Sequence, residues 1–168
     1  MLATYRSLWA LILTLFFSSF AFATDDSNGT ALPRFNVPTL SGKHLSNKTL
    51  VGHAALFNVW ASWCHYCRNE HTMLLKIKNT YHVPIYGLNF KDKPDNAKAW
   101  LQEEGNPYVA VGIDESGSLG EELGVTGTPV TFVLDKHGRI RYEYTGGIDE
   151  SSWNSVLYPM ILRFEKES

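Results

Sequence analysis

The feature that most constrains the fold is an apolar run that leads directly into a cysteine pair. The run HAALFNVWA, residues 53–61, has the length and near-continuous hydrophobicity of a strand buried on both faces of a sheet. The segment SWCHYCRNEH follows, and no Gly or Pro occurs from Tyr66 to Tyr81. Cys67, Glu70 and Leu74 recur at spacings of three and four, as on one face of a helix. The order predicts a buried strand and a helix with the cysteines at their junction.

Similar patterns along the rest of the chain predict an α/β domain. Residues 83–90, VPIYGLNF, form the next predicted strand, and a connection through the helix makes the two strands parallel. A short N-terminal hairpin is predicted around the turn Ser41-Gly42. The remaining predicted elements are helices at 95–105, 117–124 and 149–167 and strands at 107–114, 129–135 and 139–146. The expected architecture is a mixed central sheet flanked by helices, with an N-terminal hairpin extension.

The N-terminus has the pattern of an export signal. Arg6 precedes the apolar run LWALILTLFFSSF, and small residues follow up to Ala23. Residues 1–23 are therefore predicted to be a signal peptide cleaved near Ala23 or an uncleaved anchor in the inner membrane, since a membrane span takes roughly 20 residues. Residues 24–33 are polar and turn-forming and are expected to be a linker, which leaves residues 34–168 as the folded domain.

Charge and compartment narrow the possible partners. The formal net charge is −2, and Lys and Arg do not cluster along the chain. No phosphate-binding surface and hence no nucleic-acid partner is expected. Export places the domain outside the cytoplasm, where paired thiols tend to become disulfides.

Cys64 and Cys67 are the only cysteines of the chain, and three interpretations of the pair can be compared. A closed zinc site needs four ligands, and the six scattered His supply no second half-site, so no metal is expected. A purely structural disulfide across so short a loop removes little entropy from the unfolded chain. A redox pair explains more of the sequence, and it needs no cofactor other than its own disulfide.

The position of the pair predicts different roles for the two thiols. Cys64 lies at the predicted helix N-terminus, where free N–H groups and the helix dipole stabilise a thiolate, so it is the predicted nucleophile. Cys67 lies one turn further along, on the packed face, and is expected to resolve the mixed disulfide. Trp63 precedes the pair and is expected to cover it or to contact a partner protein, although ordinary packing explains an aromatic residue there equally well.

Glu70 follows Cys67 by three residues and shares its face of the helix. A buried carboxyl at this position has a raised pKa and can take the proton from Cys67 as a general base. The alternative is a solvated glutamate that the helix N-terminus stabilises.

The segment GVTGTPV, residues 124–130, forms the second candidate constellation. It places Pro129 at the first residue of a strand, where no ladder hydrogen bond is lost. A cis bond between Thr128 and Pro129 exposes a backbone edge on which a partner's extended segment can pair. From the spacing alone a trans bond is the more common state, since about 5% of X-Pro bonds are cis.

Together, WASWCHYC, the upstream strand and GVTGTP resemble a thioredoxin-fold oxidoreductase. GLNFKD, AWLQEEGNPY, CRNEH and GSLGEELGVTGTPVTFVLDKHGRIRY further resemble the CcmG/DsbE-type thiol:disulfide interchange proteins of cytochrome c maturation. The resemblance extends over residues 34–148. It implies a thioredoxin-like fold, a redox-active cysteine pair and a cis bond between Thr128 and Pro129. It also places Asn58 where thioredoxin has a buried Asp, which makes Glu70 the only candidate for the base.

The resemblance also implies partners and a compartment. In that family, a membrane electron donor of the DsbD type keeps the pair reduced in the bacterial periplasm. The pair then reduces the disulfide in the haem-attachment motif of apocytochrome c, directly or through a companion maturation protein. Alternatives are a general periplasmic reductase, an oxidant or isomerase for other clients, and a non-catalytic module that binds unfolded chains.

Two departures from the family pattern bear on the redox properties. His65-Tyr66 stands between the cysteines where the family usually has Pro-Thr, and Val130 replaces a Glu beside the proline. A charged His65 stabilises the Cys64 thiolate, favours the reduced form and makes the protein more oxidising. Loss of the second acid, the Glu that Val130 replaces, also makes the protein more oxidising.

Overall fold

A computed structural model of the chain describes residues 29–167. The predicted signal or anchor, residues 1–23, and residues 24–28 of the predicted linker lie outside this range. The strands are β1 (Thr30–Ala31), β2 (Asn36–Pro38), β3 (His44–Ser46), β4 (Ala55–Trp60), β5 (Ile85–Phe90), β6 (Ala110–Asp114), β7 (Val130–Leu134) and β8 (Arg139–Thr145). The helices are α1 (His65–Lys76), α2 (Pro94–Glu104), α3 (Ser118–Glu122), α4 (Glu150–Ser152) and α5 (Tyr158–Lys166).

The central sheet has six strands in the order β1-β8-β7-β4-β5-β6. The pairs β4·β5 and β5·β6 are parallel, whereas β7 pairs antiparallel with both β4 and β8. All residues of β4 are buried, as its continuous hydrophobic run predicts. The mixed sheet, the parallel crossover and the final hairpin are confirmed.

Side chains of β4 alternate between two cores on opposite faces of the sheet. Leu56 and Trp60 belong to the core that contains residues of α1, α2 and α5. Phe57 and Val59 belong to the second core, with residues of β3 and α3. Asn58 therefore points toward the same side as Trp60, which is the side of α1.

The N-terminal hairpin is confirmed, since β2 and β3 pair antiparallel around the predicted turn. The linker prediction is wrong for its last residues. Thr30 and Ala31 pair with Ile140 and Arg139 as an edge strand, and Leu32 is buried in the second core. The exposed edge of β8 offers free backbone N–H and C=O groups, so a short extended segment pairs there despite its polar composition.

Two predicted helices contain a π-helical turn. Residues Ile77–Tyr81 form one at the end of α1, and Trp153–Leu157 form the other between α4 and α5. Pro159 follows the second turn and has no N–H to continue the regular ladder, which accounts for the break. Between residues 29 and 167, no helix has the length and apolar character needed to cross a membrane.

Candidate redox site and its relatives

The two cysteines lie at the junction of β4 and α1 and form a disulfide. Cys64 is the N-cap of α1, and its Sγ accepts a hydrogen bond of 3.1 Å from the backbone N–H of Cys67. Exposure does not distinguish the two residues, because Cys64 is 4% and Cys67 2% exposed. The difference is electrostatic: the helix N-terminus directs an N–H group at the Cys64 sulfur, which favours negative charge there after reduction.

The loop that precedes β7 reaches the disulfide from the other side. The Cys64 Sγ lies 3.4 Å from the carbonyl oxygen of Thr128, and the Thr128–Pro129 bond is cis, as expected from the resemblance. In the disulfide the sulfur carries no hydrogen, so this approach is a van der Waals contact. After reduction, a Cys64 thiol can donate a weak hydrogen bond to the same oxygen.

Glu70 lies on the buried face of α1, with 1% of its surface exposed. Burial raises the pKa of its carboxyl to about 7, against the opposing effect of hydrogen bonds from Ile148 and Asn58. The Ile148 N–H donates to Oε2 at 2.8 Å, and Asn58 Nδ2 donates to Oε1 at 3.1 Å. The structure thus has the buried carboxyl and not the solvated alternative, and the carboxyl can exchange a proton near neutral pH.

Asn58 is fully buried at the centre of a hydrogen-bond network. Besides Glu70, its Nδ2 donates to Thr131 Oγ1 at 2.9 Å, while its Oδ1 accepts from the Tyr108 hydroxyl at 2.8 Å. Burial, and secondly the charge of Glu70, hold the pKa of Tyr108 well above its ordinary value. Sequence reasoning missed Tyr108, although a tyrosine next to Pro107 at the start of an apolar strand is a signal for a buried hydroxyl with a partner.

A groove of about 420 Å³ opens beside the disulfide. Tyr66, Thr128, Pro129 and Val130 line it together with Glu143 of β8. Two of the three predicted partner-contacting residues, Thr128 and Pro129, therefore lie in its lining. The residues that complete the lining are Gly124, Val125, Thr126, Gly127, Thr145, Gly146 and Gly147.

Trp63 and His65 lie outside the lining of this groove. Trp63 is 58% exposed, and its indole Nε1 donates to the Lys91 carbonyl at 3.0 Å. Its ring therefore has a fixed anchor while most of its surface faces solvent. His65 is also exposed, and its ring packs edge-on against Tyr66 with centroids 5.8 Å apart. Both side chains are accessible to an approaching protein.

A buried carboxylate holds the loop before Cys64, and the sequence alone did not indicate it. Asp92 accepts from the Ser62 N–H at 2.7 Å, the Ser62 Oγ at 3.0 Å and Asn89 Nδ2 at 2.9 Å. The Arg68 guanidinium donates two hydrogen bonds, of 3.2 and 3.1 Å, to the Ser62 carbonyl. Parallel strands β4 and β5 end at the same edge, so residues that follow them meet there. Across residues 29–167, no three potential metal-ligating side chains cluster.

Comparisons with known proteins agree with this geometry. The redoxin family model matches residues 27–157. The thiol:disulfide interchange protein DsbE of Pseudomonas fluorescens biotype C is 48% identical over 130 residues, which covers 77% of this chain and 72% of that protein. DsbE of Escherichia coli K12 is 36% identical over 143 residues, covering 83% and 77%.

A solved structure supports the fold assignment. The crystal structure of a thiol:disulfide interchange protein of the thioredoxin family from Chlorobium tepidum superposes with a TM-score of 0.66 at 26% identity, covering 80% of this chain and 97% of that one. The predicted thioredoxin-like fold is therefore confirmed. By family model and by identity to curated relatives, the chain belongs to the redoxin family, among the DsbE-type thiol:disulfide interchange proteins.

Proposed function

We propose that the protein is a reductant whose client is apocytochrome c with a disulfide in its haem-attachment motif, or a companion maturation protein that relays the electrons. The observation that best supports a reactive dithiol pair is the buried carboxyl of Glu70, one helical turn after Cys67 on the same helix. A base with a pKa of about 7 lets the second thiol react at neutral pH. The similarity to DsbE-type relatives supports the choice of client, because that family acts in cytochrome c maturation.

The first step is attack by the Cys64 thiolate on a client disulfide. A bond forms between Cys64 Sγ and one client sulfur, the client S–S bond breaks, and the other client sulfur leaves as a thiolate that takes up a proton. The N–H of Cys67 stabilises the thiolate before attack, since it donates to this sulfur. Cys64 is thus the attacking thiol of the proposal.

The second step releases the client. Cys67 gives its proton to Glu70 and attacks the Cys64 sulfur, so the mixed disulfide breaks and the second client sulfur leaves as a thiolate. This thiolate is protonated with the proton that Glu70 accepted, and the Cys64–Cys67 disulfide remains. Two electrons have then passed from the pair to the client. The pair is itself the redox group, so the proposed cycle uses no cofactor.

The groove beside the disulfide is the proposed binding site for the client segment around its cysteine. The backbone of Thr128 and Pro129 lies next to the reactive sulfur, and an extended chain can pair with it. Tyr66 forms one wall, and the exposed ring of Trp63 offers a further apolar contact outside the groove. An unfolded client segment around a haem-attachment motif can bind in this way because its backbone is free to pair.

We place the reaction in the bacterial periplasm, with a DsbD-type membrane protein as the electron donor that reduces the disulfide again. Residues 1–23, as an export signal or an inner-membrane anchor, deliver the domain to that compartment in this proposal. Their hydrophobic pattern and the family resemblance support it.

Trapping of the mixed disulfide tests the proposed roles of the two thiols. The Cys67→Ser variant is incubated with a peptide that carries an oxidised haem-attachment motif, and a covalent adduct through Cys64 is expected on a non-reducing gel. The Cys64→Ser variant is the matched control and should form no adduct. An adduct with Cys64→Ser but none with Cys67→Ser would reverse the assignment.

The equilibrium reduction potential of the pair against glutathione tests the direction of electron flow. The family departures at His65 and Val130 favour a second candidate, an oxidant or isomerase on the same fold. A potential well below the glutathione couple, about −240 mV, supports the reductant. A potential near −120 mV, as in a strong oxidant, would contradict it.

A further inference from the structure

We propose that Tyr108 is a positioning residue that fixes the side-chain amide of Asn58 so that its NH2 group faces Glu70. The proposal rests on the role suggested above for Glu70 as the base for Cys67. Its geometric basis is a chain of two hydrogen bonds. The Tyr108 hydroxyl donates to Asn58 Oδ1 at 2.8 Å, and Asn58 Nδ2 donates to Glu70 Oε1 at 3.1 Å.

The tyrosine hydroxyl selects one of the two possible orientations of the amide. Within residues 29–167, Asn58 Oδ1 is the hydrogen-bond partner of this hydroxyl. A flipped amide would present its NH2 group to Tyr108 and leave the buried hydroxyl proton without an acceptor. It would also direct Oδ1 at the carboxyl of Glu70, which repels it when ionised. The Thr131 hydroxyl, which accepts from Nδ2 at 2.9 Å, can equally donate to an oxygen and so does not distinguish the two orientations. Both penalties favour the orientation in which NH2 faces Glu70.

Packing holds the tyrosine ring in the position from which it reaches Asn58. Gly87 of β5 lies directly opposite Asn58 in the sheet register, and a Cβ on Gly87 would lie 3.1 Å from atoms of the Tyr108 ring. The absence of a side chain at this position therefore makes room for the ring. On another side, the ring stacks on Trp60 with centroids 5.4 Å apart and planes inclined by 16°. The hydroxyl is thus directed at one acceptor.

Two groups contact the Glu70 carboxyl directly, and a third lies beyond them. Asn58 on β4 and Ile148 before α4 each donate a hydrogen bond to it, and Tyr108 lies beyond the Asn58 amide. Tyr108 is the titratable group of this set, because Cys67, one turn earlier on α1, is held in the disulfide of the oxidised protein. The hydrogen bond from Asn58 lowers the pKa of Glu70 against the larger effect of burial. Loss of the tyrosine hydroxyl frees the amide to flip, which removes that bond and favours the protonated carboxyl.

The test is a titration of Glu70 in the Tyr108→Phe variant of the oxidised protein, followed by NMR of the 13C-labelled carboxyl. We expect the pKa of Glu70 to rise by about 1. Tyr81→Phe is the matched control, because its hydroxyl also donates to an asparagine oxygen, that of Asn154, at 3.3 Å. Tyr81 follows Glu70 by eleven residues and lies in the π-helical turn after α1, so its removal should leave the titration unchanged. An unchanged pKa in Tyr108→Phe would overturn the proposal.

Kinetics separate this inference from the proposed function. A pKa higher by about 1 leaves about five times less ionised Glu70 at pH 7, so resolution of a preformed mixed disulfide should slow about fivefold at pH 7 and recover above pH 9. A raised pKa without a shift in the pH-rate profile would keep the positioning role and exclude Glu70 as the base. An unchanged pKa with full interchange activity would exclude the positioning role and leave the function intact.

A measurement on the unmodified protein covers the case in which Tyr108→Phe does not fold. The buried Tyr108 hydroxyl proton should give a slowly exchanging NMR resonance whose chemical shift follows the titration of Glu70. A hydroxyl resonance that does not respond to that titration would overturn the proposal.

Discussion

The buried carboxyl of Glu70 predicts that the protein loses stability as the pH rises toward neutrality. Its pKa is about 7 in the folded protein and 4.5 as the ordinary value for an unfolded chain. Below pH 4.5 the carboxyl is protonated in both states. Between pH 4.5 and 7 the unfolded state releases its proton first, so the free energy of unfolding falls. The difference of 2.5 in pKa corresponds to about 3 kcal/mol, fully lost above pH 7.

The Glu70→Gln variant isolates this effect. Glutamine cannot satisfy both the Ile148 N–H and the Asn58 amide as the carboxyl does, so the variant has a constant penalty of about 1 to 3 kcal/mol. That offset is independent of pH. The free energy of unfolding of the wild type minus that of the variant should therefore fall by about 3 kcal/mol between pH 4.5 and pH 8.

Urea unfolding of the oxidised proteins, followed by the fluorescence of the four tryptophans at positions 60, 63, 100 and 153, measures this difference. The disulfide must remain intact, because free thiols would add their own titration. Glu150→Gln is a control of opposite sign, since the exposed Lys76 partner lowers the pKa of Glu150 and its contribution is lost as the pH falls. A wild-type minus Glu70→Gln difference that varies by less than about 1 kcal/mol from pH 5 to 8 would refute the argument from burial.

Three further substitutions test the packing around the site. Gly87→Ala should lower the free energy of unfolding by about 1 to 3 kcal/mol, because the new Cβ would lie 2.9 Å from Trp60 Nε1; urea unfolding with an unchanged midpoint would contradict it. Asp92→Ala should lower it by about 2 to 3 kcal/mol and speed hydrogen exchange at the Ser62 amide, which loses its acceptor; equal exchange rates would show that the loop is held otherwise. The free energy of unfolding of the wild type minus that of His71→Phe should fall as the pH drops below 6.5, because burial holds the pKa of His71 below 6.5 and its contribution is lost on acidification; a difference that stays constant in urea unfolding at pH 5 to 7 would exclude this role.

Local patterns were sufficient to predict most elements of the fold. The near-continuous hydrophobic run of β4 is typical of a buried strand. The spacing of three and four residues in the Gly- and Pro-free segment after it is typical of a helix, so both elements were located from sequence. The two-residue strand β1 was not predictable in this way. Its pairing depends on the free edge of β8, which lies about 110 residues away in the chain, and its own residues have no strand-like pattern.

The candidate site was predictable where the chemistry is local. Cys64, Cys67 and Glu70 lie within one segment, and helical spacing relates them directly. Asn58 was identified only through the resemblance, and Tyr108 not at all, because the bond between them joins residues 50 positions apart. Such contacts depend on strand register and on the packing of the Tyr108 ring against Gly87, and a single sequence does not reveal either.

The covered edge of the outermost strand β6 limits how the protein can aggregate with unfolded chains. The N-terminal hairpin lies against β6, where Thr39 bridges Gly112 and the Leu40 N–H donates to the Val111 carbonyl at 3.1 Å. A side chain on Gly112 would collide with Val37 of the hairpin, so glycine permits this close approach. An extended chain therefore finds little free edge along β6 on which to aggregate, which protects this side of a protein whose proposed clients arrive unfolded.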